Sequence, residues 1–153
     1  MGLLDIVTVA TAADIAAALS VRRRVFIEEQ GVSEAEEIDG YDADPPTVTG
    51  AVHVLGRLDG VPVATGRLLL DYPPDENAHV GRVAVLAEHR DKGLGREIML
   101  ALHDRARERR LPGITLGAQV HAIGFYEKLG YVARGDVFLD AGIDHRWMDL
   151  KLR

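Results

Sequence analysis

The chain has 153 residues, 47% of them hydrophobic, a formal net charge of −6 and no cysteine. This composition excludes general disorder, disulfide bonds, thiolate metal sites and a cysteine nucleophile, and it fits a reducing cytoplasm. No apolar run is long enough to cross a bilayer, so no membrane partner is expected. Nothing divides the chain, and we expect one domain over residues 1–153.

The predicted elements begin with a strand at residues 6–10 and a helix from about Ala12 to Glu29, which Gly31 ends. An acidic segment follows, closed by Pro45-Pro46. Further strands are predicted at 48–58, 61–70, 78–86, 114–120, 131–139 and 145–152, with helices from Gly93 and over 121–130. A hairpin run followed by β-α-β predicts an α/β fold with a mixed sheet and helices on its faces.

The acidic segment, residues 28–44, holds eight acidic side chains and no basic one, which leaves the rest of the chain at +2. A nucleic-acid partner is not expected, because phosphate binding needs a basic face. Two interpretations of the segment stay open. It forms an acidic rim that attracts a cationic amine, or it is a solvated, mobile loop.

The stretch EHRDKGLGRE, residues 88–97, combines two glycines with Arg90, Lys92 and Arg96 between a strand and a helix. Unpaired amides at a helix N-terminus, approached closely through glycine, form a phosphate cradle. An ordinary turn with solvated charges is the alternative. The P-loop pattern is absent, and a dinucleotide fingerprint would need glycine where the chain has Ile98.

Two motifs carry a family resemblance. VAVLAEHRDKGLGREIM, residues 83–99, resembles the signature of the GNAT superfamily of acyl-CoA-dependent N-acetyltransferases, an apolar strand followed by [QR]-x-x-G-x-[GA]. QVHAIGFYEKLGY, residues 119–131, resembles that family's second element, with Gln119 in place of the usual Asn. The element order over residues 5–152 is similar as well. The resemblance implies a mostly antiparallel sheet of six to seven strands, helices on both faces and a splay between strands 4 and 5.

The resemblance implies acetyl-CoA as co-substrate, with its pyrophosphate held by the amides from Asp91 to Arg96. It also implies that strand 4 presents a backbone amide to the oxyanion and that Tyr126 is the general acid for the leaving thiolate. The cofactor-binding residues expected on this basis are Val83, Val85, Arg90, Asp91, Lys92, Gly93, Leu94, Gly95, Arg96 and Gln119.

On the acceptor side, VFIEEQGV resembles one bacterial branch of the superfamily, and it places Phe26, Glu28, Glu29 and Gln30 at the pocket. Arg67 lines the same pocket or pairs with an acidic neighbour. For the general base, Glu29, His121, His145 and a water chain stay open, and His145 is also a candidate acceptor-binding residue. We expect surface positions for His79, His89 and His103, and no metal site, because the histidines show no ligand spacing.

The leading hypothesis is an enzyme that moves an acetyl group from acetyl-CoA directly to a primary amine of a small molecule. The alternatives are a non-enzymatic acyl-CoA-binding regulatory module and a protein or peptide N-acetyltransferase. Because relatives are often dimers, the resemblance leaves a homodimer open.

Overall fold

The computed structural model describes residues 3–43 and 49–153. Its strands are β1 Leu4–Thr8, β2 Ala51–Leu58, β3 Val61–Leu69, β4 Ala78–Val85, β5 Gly113–Gln119, β6 Val132–Asp140 and β7 Ile143–Lys151. Its α-helices are α1 Ala12–Arg22, α2 Glu34–Glu37, α3 Leu94–Glu108 and α4 Ile123–Glu127. A π-helix, Arg23–Glu29, continues α1, and short 3₁₀ turns occupy Gly40–Asp42, Ala87–His89 and Val120–Ala122.

The strands form one sheet in the order β1-β2-β3-β4-β5-β7-β6. The pairing of β4 with β5 is parallel, and the other neighbours are antiparallel. The hairpin between β2 and β3 turns at Asp59 and Gly60, both with positive φ, as a two-residue turn requires. The predicted mixed, mostly antiparallel sheet is therefore confirmed.

Helices α1 and α3 cover opposite faces of the sheet. Leu55 on β2 packs in a cluster with Ile15 and Ala18 of α1. A Cβ built on the next residue, Gly56, would lie 3.4 Å from a methyl group of Ile98 on α3. Since successive strand residues point to opposite faces, the two helices sandwich the sheet. The side that α1 covers is called the α1 face below.

Several element boundaries differ from the predictions, and the first strand and the first helix are the clearest cases. The first strand is Leu4–Thr8, two residues earlier than predicted, because it is these residues that pair with β2. The predicted first helix is present, but its last part is a π-helix, in which the Gln30 amide donates to the Val25 carbonyl at 3.1 Å. The predicted Pro45-Pro46 closure lies outside the described residues.

The prediction of a surface position for His103 was wrong. His103 is 2% exposed, and its Nε2 lies 2.8 Å from the hydroxyl of Tyr131. Position 103 falls on the side of α3 that faces the sheet, beside Met99 and Leu102. Within the described residues, no helix has the length and apolar character needed to span a bilayer.

Candidate active site

The candidate site begins where two parallel strands separate. Pairing between β4 and β5 ends at Val80 and Leu116. Both strands run on past that point, β4 to Val85 and β5 to Gln119, and form the splay that was predicted. The Val85 carbonyl accepts a hydrogen bond from Arg90 Nε at 3.0 Å. The end of β4 is thus free of β5, and its backbone faces a cleft.

A bulge bends β4 beside the splay. The register with β3 shifts between Thr65 and Arg67, and Arg82 has a φ of 53°. A left-handed arginine in a strand is an uncommon conformation that a bulge accommodates. The Arg82 guanidinium lies 2.9 Å from a carboxylate oxygen of Glu37, and this ion pair ties the bulge to α2.

The cleft at the splay has a volume of about 1060 Å³, at the upper end of the range for small-molecule sites. Many predicted site residues line it: Phe26, Glu29, Gln30, Arg67, Val83, Val85, Arg90, Asp91, Gly93, Gly95, Arg96, Gln119, Tyr126 and His145. Three do not. The side chains of Glu28 and Lys92 are exposed to solvent, and Leu94 packs into the core.

The glycine turn forms the N-terminal boundary of α3. Gly93 is the residue before the helix and has a φ of 81°, which favours glycine. Apart from its chain neighbours, no described residue has a heavy atom within 4 Å of a Cβ built there. A Cβ at Gly95 would lie 3.3 Å from Phe125 Cζ, so this glycine allows α3 to approach α4 closely. The first amides of α3 lack helical partners and border open space in the cleft. An anionic phosphate fits this cradle.

Two contacts join the end of the π-helix to residues that follow β4 and end β5. Both carboxylate oxygens of Glu29 accept hydrogen bonds from the Arg90 guanidinium, at 2.6 and 2.8 Å. The side-chain amides of Gln30 and Gln119 exchange two hydrogen bonds, at 3.3 and 2.9 Å. These four side chains form what we call the latch.

Tyr126 lies on α4 and lines the cleft. Its ring meets Phe125 edge-on at a centroid distance of 5.0 Å and Tyr131 at 5.8 Å. Burial raises the pKa of the Tyr126 hydroxyl to about 12, and the hydroxyl makes no hydrogen bond to the described residues. The phenol therefore stays protonated at neutral pH, with a donor to offer.

The acidic segment, where the structure describes it, contains both exposed and buried carboxylates. Glu37 and Asp42 are 3% and 7% exposed, and Asp42 accepts hydrogen bonds from Arg22 and Arg67. Asp39 accepts two more from Arg67, both at 2.7 Å. Carboxylates of the segment therefore neutralise arginines on the α1 face in a buried charge cluster. Arg67 both pairs with acidic neighbours and lines the cleft.

His145 is held in a defined tautomer. Its Nδ1 lies 2.7 Å from the Ile143 carbonyl, which is an acceptor only, so Nδ1 carries the proton and the Nε2 lone pair is free. Three other rings line the cleft near it, and none was predicted as a site residue: His79, Phe138 and Trp147. The alternation of His145 and Trp147 along the predicted last strand is the sequence signal that could have identified this group of rings.

Comparisons with known proteins agree with this geometry. The sequence model of the Acetyltransferase (GNAT) family matches residues 14–131. The chain is 37% identical over 132 residues to the uncharacterized N-acetyltransferase YjcF of Bacillus subtilis (strain 168), covering 86% of this chain and 88% of that protein. A crystal structure of an acyl-CoA N-acyltransferase from Pseudomonas aeruginosa superposes with a TM-score of 0.79 at 30% identity, covering 96% of this chain and 99% of that one. The structure of yncA from Salmonella typhimurium with its cofactor acetyl-CoA superposes with a TM-score of 0.75 at 20% identity, covering 98% and 94%.

Proposed function

Because the chain belongs to the Acetyltransferase (GNAT) family and is an acyltransferase, we propose that it transfers an acetyl group from acetyl-CoA directly to a primary amine of a small molecule. The observation that carries this proposal is the junction of two features in one cleft. A left-handed glycine opens the amides at the start of α3, and the neighbouring splay exposes the end of β4.

Acetyl-CoA, when bound, supplies the thioester carbon that the amine nitrogen attacks. In our proposal the amides from Asp91 to Arg96 hold its pyrophosphate, with Arg90 and Arg96 adding charge at the edge of the cleft. Gln119, whose side-chain amide pairs with Gln30 in this structure, donates a hydrogen bond to coenzyme A, which we call the carrier. The family usually has Asn at this position. Val83 and Val85 present backbone amides to the carrier and to the oxyanion that forms during attack.

We assign the general base to His145. A cationic amine must lose a proton before it attacks, because a free alkylamine has a pKa of about 10. Glu29 and His121 also line the cleft, but both side chains are exposed to solvent. His145 is 8% exposed, lines the cleft and keeps its Nε2 lone pair free to accept that proton.

Tyr126 acts on the leaving group by donating a hydrogen bond. A phenol with a pKa of about 12 is a weaker acid than a thiol, whose pKa is about 8.5, so complete proton transfer to the thiolate is uphill. A hydrogen bond in the transition state needs no such transfer, and it stabilises the negative charge that builds on sulfur. The resemblance implied that Tyr126 is a general acid. We now propose that Tyr126 donates a hydrogen bond to the thiolate and does not transfer its proton completely.

The Tyr126→Phe variant tests this role. We expect kcat to fall roughly 10²- to 10³-fold, because one preorganised donor is lost, while acetyl-CoA still binds. Free thiol release over amines and peptides measures turnover, and the rise in melting temperature on adding acetyl-CoA measures binding. Tyr41→Phe, which removes a hydroxyl outside the cleft, should retain full activity. Full activity of Tyr126→Phe on every acceptor would show that the hydroxyl has no part in the reaction.

The same assay separates the alternatives. A regulatory module would show the acetyl-CoA melting shift with no turnover of any amine or peptide. A protein acetyltransferase would turn over peptides and leave small amines untouched.

A further inference from the structure

Four rings form a continuous surface in the cleft, which we call the aromatic wall: His79, Phe138, His145 and Trp147. Trp147 stacks on Phe138 with ring centroids 4.9 Å apart, and Phe138 stacks on His145 at 5.7 Å. His79 meets Trp147 edge-on at 6.0 Å. These distances are within the range at which aromatic rings attract one another.

Strand alternation explains why the rings share one face. Met148 on β7 is fully buried in the core, so its neighbour Trp147 points to the α1 face, and His145 points the same way two residues earlier. Gly117 pairs with Trp147 across β5 and β7. A Cβ at Gly117 would lie 3.4 Å from Phe138 Cζ and 3.7 Å from Trp147 Cζ3. The rings lie flat over this strand because position 117 has no side chain.

The sheet surface around Gly81, beside the aromatic wall, is open, and we call it the floor. Gly81 is the first residue of β4 past the last pair with β5, and it shares a face with His79. Within the part of the chain that the structure describes, no heavy atom other than those of Gly81 and its chain neighbours lies within 4 Å of a Cβ built on Gly81. In register, Gly81 pairs with Arg67 on one side, and Gly117 pairs with Trp147 on the other. The splay lies between Gly81 and Gly117, so the buried arginine and the indole stand on opposite sides of it.

Opposite sides of this floor differ in chemistry. On the Arg67 side the guanidinium already has carboxylate partners, Asp39 and Asp42, although its buried Nε donates to no described residue. On the Trp147 side the indole is 36% exposed, although it is a large hydrophobic ring. An exposed ring that lines a cleft next to the splay gains most from an apolar, flat partner.

We propose that the acceptor is a small amine that carries an aromatic ring, which packs on Trp147 and Phe138 while its nitrogen lies at the splay. This inference rests on the proposed function, which makes the acceptor a primary amine. It adds that the amine carries an aromatic group. A sugar or a polyamine would leave the wall without an apolar partner.

Trp147 is the single tryptophan of the chain, so intrinsic fluorescence reports directly on the wall. The experiment titrates the full chain with phenethylamine and with 2-cyclohexylethylamine, which has the same skeleton with a saturated, puckered ring. We expect phenethylamine to perturb Trp147 emission. It should also bind roughly three- to tenfold more tightly than 2-cyclohexylethylamine, because the attraction between two aromatic rings contributes a factor of about this size. The same preference should appear in kcat/KM for acetylation.

Two variants locate the effect. Trp147→Leu keeps an apolar side chain but removes the flat ring, and it should abolish the preference in kcat/KM. Gly81→Val leaves the wall intact and fills the floor, so both amines should lose turnover while acetyl-CoA still raises the melting temperature. Val132→Ala is the matched control, because Val132 is an apolar side chain of β6, 69% exposed and outside the cleft.

The outcomes separate the two proposals. Equal binding and equal kcat/KM for the two amines would overturn the aromatic acceptor and leave acetyl transfer standing. Persistence of the preference in Trp147→Leu would also overturn it. Binding of phenethylamine at Trp147, with acetyl-CoA bound and no amine ever acetylated, would support the aromatic pocket and refute the proposed transfer.

Discussion

At the scale of the residue, Arg22, Arg23 and Arg24 are identical in type and very different in environment. Arg22 is 1% exposed, and its guanidinium donates to Asp42 at 2.6 Å and to the Glu37 carbonyl at 2.7 Å. Arg24 pairs with Glu88 in solvent, with side-chain exposures of 52% and 49%. Helical residues one apart point about 100° away from each other, so only one of the three faces the buried charge cluster.

We therefore predict different costs for two matched substitutions. Arg22→Met leaves buried carboxylates without their partner and should lower the free energy of unfolding by roughly 3–5 kcal/mol. Arg24→Met breaks an exposed pair and should change it by at most about 1 kcal/mol. Urea unfolding of both variants measures the difference. Similar midpoints for the two would contradict the structural role given to Arg22.

At the scale of the element, the π-helix is the segment that connects the two halves of the cleft. It continues α1, and it brings Glu29 to Arg90 on the side of the cleft that we propose for the cofactor, while Gln30 follows to meet Gln119. π-Helical turns are rare and often occur at functional sites. The latch thus occupies groups that our proposal gives to the carrier, so binding must exchange one set of contacts for another.

The Glu29→Gln variant tests that exchange. Losing the carboxylate frees Arg90, so we expect the Kd for coenzyme A to fall up to about fivefold, in keeping with an exposed ion pair. Isothermal titration calorimetry measures the change. Glu34→Gln is the control, because Glu34 pairs with Arg23 outside the cleft. Weaker binding in Glu29→Gln would mean that the pair supports the site rather than competing with the carrier.

At the scale of the whole molecule, buried ionisable groups make stability depend on pH. Burial, with the charge of Arg107, lowers the pKa of His103 to about 4. For Asp42, burial alone would raise the pKa, but the hydrogen bond from Arg22, the backbone bond from Asp39 and the nearby arginine charges lower it to about 2. Both folded-state pKa values lie below those of the unfolded chain, about 6.5 for histidine and 3.9 for aspartate.

Both shifts remove stability as the pH falls. Between pH 6.5 and 4 the unfolded chain takes up a proton at His103 that the folded chain does not, which should cost about 3 kcal/mol. Below about 3.9 Asp42 adds a second loss, down to about pH 2. Urea unfolding across this pH range measures the profile. His103→Gln should make the first decline shallower and keep the second, while His53, whose pKa burial also lowers, retains part of the first. An unchanged slope between pH 6.5 and 4 would contradict the assignment.

The local features of this protein were determined by the sequence itself. The order of strands and helices, the hairpin at Asp59-Gly60 and the turn at Gly93 depend on periodicity and backbone freedom over a few neighbouring residues. These signals were enough to predict the mixed sheet and the glycine turn, because a strand, a glycine turn and a helix N-terminus are contiguous in the chain. The splay and the residues proposed for the cofactor were expected from the resemblance to the GNAT superfamily.

The side of the cleft that we propose for the acceptor was decided only by the tertiary structure. The acidic segment and Arg67 are far apart in sequence, and their ion pairs form because β3 and the segment meet on the α1 face. His103 is buried because of the helix side it occupies, and the aromatic wall exists because the pairing of β5, β6 and β7 stacks Trp147 on Phe138 over Gly117. Residue type alone does not specify the face that a side chain takes or its non-local partners, since packing sets both.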